Sequence, residues 1–166
     1  MHPRQTFRRA ALLILVVAGA LVAPATVASA AGRGPGTTRC RAGTETSVIT
    51  AYANVFSRAT PLTNDVRAAS LDRGDEPAVR ALLDTWLASP TGNTSTVTVA
   101  DVRCPSRTRA VVDADLNLAG TPLPDVLPAG RAVLRNGTWK VATATFCTRM
   151  ILEDPSLATT GVCARR

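Results

Sequence analysis

Residues 131–141 read Arg-Ala-Val-Leu-Arg-Asn-Gly-Thr-Trp-Lys-Val, and this stretch decides the fold class of the chain. Asn136-Gly137 separates two runs of β-forming residues, and this dipeptide is the preferred two-residue hairpin turn because both residues adopt positive φ. A two-residue loop sets the register of the hairpin, so that Arg135 faces Thr138. The side chains predicted to share the core face are Ala132, Leu134, Trp139 and Val141.

The sequence before this hairpin predicts further strands. Thr96–Cys104 is rich in β-branched residues, and Arg109–Leu118 alternates between small or apolar residues and polar ones. Successive strand residues point to opposite faces, so Ala110 and Val112 lie inward while Asp113 and Asp115 lie outward. We predict that the last strand runs from Thr138 to Cys147. The three prolines of residues 121–130 predict a loop, placed either at a sheet edge or as an excursion, because proline cannot donate a ladder hydrogen bond.

The chain between residues 44 and 90 has helical spacing instead. Apolar residues recur every three or four positions in Thr46–Arg58, in Thr63–Arg73 and after Pro77. Thr44 is the predicted cap of the first helix, and Thr63 or Asn64 caps the second. Helices followed by consecutive antiparallel strands predict an α+β fold, with N-terminal helices packed on one side of a curved antiparallel sheet.

Residues 1–30 are predicted to be a signal peptide. Three arginines precede an apolar run of 14 residues, Ala10–Ala23, and Ala28-Ser29-Ala30 matches a small-residue cleavage pattern. A membrane-spanning helix needs about 20 apolar residues, so we predict a secreted protein cleaved after Ala30, with no membrane span after cleavage. Residues 31–43 are a predicted flexible spacer, and residues 44–166 form a predicted single α+β domain.

Charge argues against a nucleic-acid partner. Without the leader the chain has 16 basic and 12 acidic residues, which leaves a net charge of +4. No run of basic residues occurs in the sequence, and the densest group, Arg103, Arg107 and Arg109, lies across a turn. We predict that these three arginines form a solvated hairpin tip and that the protein binds no nucleic acid.

The four cysteines predict two disulfides. Cys104 and Cys147 end the first and fourth predicted strands, and in a meander these ends lie about 25–30 Å apart. A disulfide tolerates a Cα separation of at most about 7 Å, so the pairing Cys40–Cys104 with Cys147–Cys163 is preferred. A metal site is disfavoured, because the exported part has no histidine and no closely spaced cysteine pair.

Several segments resemble one protein family. Asn136–Val141 followed by Ala144–Cys147 resembles the final hairpin of secreted actinobacterial proteins similar to the mycobacterial low-molecular-weight secreted antigen. Arg67–Gly74 resembles the helix that follows the first helix in that group, and the strand ending Ala-Asp-Leu-Asn-Leu-Ala-Gly at residues 114–120 is also similar. The resemblance extends over Glu45–Glu153, nearly the whole exported domain.

The resemblance implies a cystatin-like fold of the nuclear transport factor 2 type, a cone of bent antiparallel sheet around helices. It also implies a secreted protein noted as an antigen, and it brings no catalytic residues. Cys40 and Cys104 are not part of the family's pattern.

The candidate site residues predict binding rather than catalysis. Tyr52, Trp86 and Trp139 are the candidates for lining a pocket, and the Tyr52 hydroxyl is expected to reach the rim of the core. We predict no catalytic, cofactor-binding or metal-binding residues, and hence a non-enzymatic secreted domain that binds a small apolar ligand or a protein partner. The alternative is a pocket enzyme of the isomerase or cyclase type, which would use Tyr52 and a carboxylate. The candidate carboxylates are Asp101, Asp113 and Asp115.

Overall fold

A computed structural model describes residues 40–59, 61–159 and 161–164, without the side chains of residues 124–128. The predicted signal peptide, its cleavage site and residues 31–39 of the predicted spacer lie outside the described residues. The elements in chain order are α1 (Thr44–Phe56), α2 (Asn64–Ala69), α3 (Pro77–Ala88), α4 (Pro90–Thr94), β1 (Ser95–Ser106), β2 (Arg109–Leu118), β3 (Thr121–Arg135), β4 (Thr138–Val141) and α5 (Thr143–Glu153), followed by 3-10 turns at Pro155–Ala158 and Gly161–Ala164.

The predicted α+β class is confirmed, with helices against one curled antiparallel sheet. The strands follow one another in the order β1-β2-β3-β4, a meander in which each strand pairs with the next. Register shifts interrupt the ladders between β1 and β2 and between β2 and β3, and such bulges bend and twist a sheet. The core lies between the concave face and the helices. Val48 and Val55 of α1 and Val112 and Leu116 of β2 are completely buried there.

The hairpin register is confirmed residue by residue. Leu134 pairs with Trp139, and Arg135 pairs with Thr138 across the Asn136-Gly137 turn, where both turn residues have positive φ. The β2 bounds are also as predicted, and Ala110, Val112, Ala114 and Leu116 are its buried residues.

The helix bounds differ from the prediction by a few residues. The first helix begins at Thr44 rather than Thr46, because Gly43 with φ 79° takes the N-cap position that we expected for Thr44. The helix ends at Phe56, since Ser57 is already extended. The predicted Thr63 cap is confirmed, because its side chain accepts a hydrogen bond from the Val66 backbone N–H. That second helix ends at Ala69, earlier than predicted.

The predicted strand Thr138–Cys147 was wrong in its second half. The strand β4 ends at Val141, and α5 begins at Thr143, so Cys147 is helical. The Ala-Thr-Ala-Thr sequence of residues 142–145 alternates as a β-strand does, which explains the wrong prediction. The spacing of the buried residues is helical, however, at Thr143, Phe146, Cys147 and Met150.

The prediction of a loop at residues 121–130 was wrong, because these residues form the first part of β3, whereas the sheet-edge alternative for their position is confirmed. Pro122 lies opposite Asn117 of β2, and two register shifts accommodate the rest of the segment. Strand β4 pairs only with residues 132–135 of β3, so the proline-containing part lies at the edge of the sheet, where a missing N–H is tolerated.

Both predicted disulfides are confirmed. Cys40–Cys104 and Cys147–Cys163 have Cα separations of 5.1 Å and 5.3 Å. The first joins the segment before α1 to the end of β1. The second joins α5 to the C-terminal 3-10 turn, so the pairing was right although Cys147 lies on a helix.

The segment between α2 and α3 covers the outer edge of β4. Leu71 forms a parallel bridge with Val141, the Asp72 N–H donates to the Val141 carbonyl at 2.8 Å, and the Val141 N–H donates to the Ser70 carbonyl at 2.9 Å. This edge of the sheet is therefore already hydrogen bonded within the chain.

Candidate functional site

Four buried aromatic rings from the helices pack against one another in the core. Phe56 of α1 lies at the centre, with its ring centroid 5.8 Å from Tyr52, 6.0 Å from Trp86 and 6.3 Å from Phe146. Trp86 also meets Phe146 edge to face at 5.9 Å. All four rings are buried, and such contacts stabilise a core beyond the area that they bury.

The predicted pocket residues are only partly brought together. Tyr52 and Trp86 both contact Phe56, whereas Trp139 lies on β4, opposite Leu134. Trp139 is 8% exposed and makes no ring contact among the described residues. The aromatic group is therefore built from α1, α3 and α5, and Trp139 belongs to the sheet part of the core.

The Tyr52 hydroxyl ends inside the protein and not at the rim that we expected. It lies beside Gly130 of β3, where a β-carbon would come within 2.5 Å of the hydroxyl oxygen. Among the described residues it has no hydrogen-bond partner of standard geometry. The nearby Thr145 hydroxyl is already engaged, because it accepts a bond from the Arg131 N–H at 2.8 Å and reaches the Arg131 carbonyl.

Burial raises the pKa of the Tyr52 phenol well above its ordinary value of 10.0. A weaker interaction with Thr145 lowers that pKa, and the negative charge of Asp113 raises it. The phenol therefore stays protonated at neutral pH, so it can donate a hydrogen bond but cannot act as a base.

The candidate carboxylates lie on the outer face of the sheet, which the strand alternation predicted for Asp113 and Asp115. Asp101 and Asp113 are opposite each other on β1 and β2, and Arg103 pairs with both at 3.2 Å and 2.8 Å. Asp115 is exposed two residues further along β2. The Asp113 carboxylate and the Tyr52 hydroxyl thus point to opposite sides of the sheet.

Two buried arginines were not anticipated from the sequence. Arg67 of α2 is 1% exposed, and it donates to the backbone carbonyls of Asn54 and Ser57 at 2.7 Å and 2.8 Å. Arg149 of α5 is 2% exposed and pairs with Glu153 one turn later. Burial lowers the pKa of both guanidinium groups, and the Glu153 charge opposes this shift for Arg149. Arg67 satisfies carbonyls at the end of α1 and so has a structural role.

The outer face of the sheet collects cations that are far apart in the sequence. Arg103 of β1 lies opposite Val111 of β2, and Val111 lies opposite Arg131 of β3. In the adjacent row Arg109 lies opposite Val133, which in turn lies opposite Lys140 of β4. We call this set of six residues the basic face, in which four cations surround a pair of half-buried valines.

Among the side chains that the structure describes, three cations of the basic face have no counter-charge. Within the described part of the chain Arg109, Arg131 and Lys140 form no ion pair, whereas Arg103 is neutralised by Asp101 and Asp113.

The described residues contain no cluster of three or more histidine, cysteine, aspartate or glutamate side chains that could bind a metal ion. None of the helices in the same residues is long and apolar enough to span a membrane.

The comparisons with known proteins identify a family. No curated protein and no solved structure gives a significant match to the chain. A family model does match, that of the low molecular weight antigen MTB12, C-terminal domain, and the match covers residues 41–156. This range contains every strand and helix α1 to α5, and it includes the hairpin segments on which the resemblance was based. The chain therefore belongs to the family defined by the C-terminal domain of the low molecular weight antigen MTB12.

Proposed function

We propose that this protein is a secreted, non-enzymatic domain that binds a protein partner through its surface. The observation that carries the proposal is the packing of the aromatic core, where the rings of Tyr52, Phe56, Trp86 and Phe146 lie at centroid distances of 5.8–6.3 Å. A small apolar ligand in the core would have to separate these rings. Membership of an antigen family is compatible with a domain that acts by being recognised or by binding.

The positions of the candidate catalytic groups also support a non-enzymatic domain. An enzyme of the isomerase or cyclase type would need Tyr52 and a carboxylate within reach of one substrate atom. Here the Tyr52 hydroxyl is buried beside Gly130, and the Asp113 carboxylate is bound by Arg103 on the other side of the sheet. Neither group faces the other across an open site.

Secretion is supported by the leader pattern and by the crosslinks. All four cysteines are disulfide bonded, and disulfides persist in oxidising compartments outside the cytoplasm. N-terminal sequencing of protein from a culture supernatant tests this part, and we expect a mature chain that begins at Ala31. An uncleaved chain retained in the cell would contradict it.

Site-specific photo-crosslinking tests the binding function. A photoreactive amino acid replaces Val133 on the basic face or Leu152, a side chain of α5 that is 55% exposed. We expect one protein partner to crosslink to a photoreactive residue at one of these two surface positions. In calorimetry, the purified partner should then bind the Tyr52→Phe variant and the unmodified protein with equal affinity. A small molecule that copurifies in native mass spectrometry and is lost from Tyr52→Phe would contradict a surface-mediated function.

A further inference from the structure

We infer that the basic face is the docking site and that its partner is an acidic segment of a protein in which carboxylates flank an apolar residue. This inference rests on the proposed function and specifies its surface and the chemistry of the partner. It is carried by the cross-strand register, which places Arg109 and Lys140 on either side of Val133, and Arg103 and Arg131 on either side of Val111.

The spacing of the cations fits two separate carboxylates. Neighbouring strands are about 4.8 Å apart, so cations two strands apart have backbones about 10 Å apart, with a valine between them. Guanidinium groups bind carboxylates with two parallel hydrogen bonds, which fixes the position of an acidic side chain. The scaffold is rigid, because Arg109 and Arg131 lie on β2 and β3, paired strands in the middle of the sheet.

The surroundings of the basic face favour a protein over a phosphate polymer or a lipid surface. Asp101 and Asp113 lie directly beside it, and they would repel a uniformly anionic surface. The three cations that form no ion pair with a described residue are also few compared with the roughly 6–10 phosphate contacts of nucleic-acid-binding proteins. The valine pair offers an apolar centre with a charged rim, which is the usual arrangement in a protein interface.

A labelled peptide provides the test on the full mature chain. The probe is acetyl-Glu-Leu-Glu-Glu-Leu-Glu-amide, and its counterpart carries glutamine in place of every glutamate. In fluorescence anisotropy at low salt we expect the first to bind and the second not to. The double variant Arg109→Glu/Lys140→Glu should weaken binding at least about tenfold, because each lost ion pair becomes a repulsion.

Arg58→Glu is the control for a remote charge reversal, since it reverses one charge, against two in the double variant, at the other end of β1. The Arg58 N–H donates to the Ser95 carbonyl, at the start of the strand whose far end meets Arg109. We expect this variant to bind the peptide within about twofold of the unmodified protein. Equal thermal midpoints of both variants would show that neither substitution affects folding.

Three results would overturn the assignment of the basic face. One is that the double variant binds the peptide as tightly as the unmodified protein does. Another is that Arg58→Glu loses as much peptide affinity as the double variant. The third is tighter binding of single-stranded DNA or of phosphatidylglycerol vesicles than of the peptide. If a partner crosslinks from Leu152 and still binds the double variant, the basic face is wrong while the proposed function stands. If no protein crosslinks from either position although the peptide binds, the proposed function fails instead.

Discussion

A β-carbon on Gly130 would lie 2.5 Å from the Tyr52 hydroxyl oxygen and 3.2 Å from the Val112 carbonyl oxygen. A β-carbon does not approach an oxygen atom to 2.5 Å, so Gly130→Ala must displace the buried Tyr52 ring. We expect the substitution to lower the free energy of unfolding by about 1–3 kcal/mol, measured by urea denaturation. In a Tyr52→Phe background the hydroxyl is gone, so the loss of unfolding free energy caused by Gly130→Ala should be smaller by at least about 1 kcal/mol. Equal costs in the two backgrounds would show that the hydroxyl is not the obstacle.

Tyr52 is the only tyrosine of the chain, so its titration can be followed directly by the ultraviolet absorbance of tyrosinate. Burial raises the pKa of the folded phenol above 10.0, whereas the unfolded chain loses this proton near the ordinary value. The stabilisation is therefore complete below pH 10 and is lost as the pH rises toward the folded pKa. We expect the free energy of unfolding to fall by about 1.4 kcal/mol per pH unit above pH 10, relative to Tyr52→Phe. Tyrosinate absorbance that appears at pH 10 in the folded protein would contradict the burial.

The two disulfides should contribute unequally to stability. Cys40–Cys104 closes a loop with a sequence separation of 64, and Cys147–Cys163 one of 16. In the chain-entropy description a longer loop restricts the unfolded chain more, by about 1 kcal/mol for this ratio of lengths. We expect Cys40→Ala/Cys104→Ala to lower the urea midpoint more than Cys147→Ala/Cys163→Ala. The reverse order would show that native contacts near α5 outweigh the loop length.

Arg67 should be far more important for stability than the surface arginines. Arg67→Met leaves the Asn54 and Ser57 carbonyls without a buried donor, and we expect a loss of about 2–5 kcal/mol in the free energy of unfolding. Arg80→Met is the control, because Arg80 pairs with Asp65 and Asp84 at the surface and such pairs contribute about 0–1 kcal/mol. Similar losses for the two variants would argue against the structural role of Arg67.

Local sequence signals predicted the parts of the fold that depend on near neighbours. The Asn136-Gly137 turn specified both its conformation and the pairing of Leu134 with Trp139, because a two-residue loop leaves no other register. The alternation of β2 placed Asp113 on the outer face. The strand order then selected the correct disulfides even though Cys147 lies on a helix rather than at a strand end.

Features that depend on distant pairing could not be read from the sequence. The basic face brings together Arg109, Arg131 and Lys140 because bulges in β3 determine which of its residues lie opposite β2. No local sequence pattern specifies where such a bulge occurs. Arg67 sits in a short helix whose sequence resembles a solvated one, and two of the acceptors of its guanidinium group are backbone carbonyls at the end of α1, another element of the fold. Tyr52 was expected at the rim because its hydroxyl seeks a partner, yet the missing side chain of Gly130 lets the ring lie fully inside.

The bridge between Leu71 and Val141 has a consequence for self-association. A fibre that grows by strand addition needs two unpaired edge strands on each molecule, because each molecule must pair with one neighbour on either side. Here the segment from Ser70 to Asp72 is hydrogen bonded to the edge of β4. The prolines of residues 121–130 have no backbone N–H to donate from the edge part of β3. Among the described residues β1 is the other edge strand of the sheet, and with the β4 edge already occupied, repeated edge-to-edge strand addition is disfavoured.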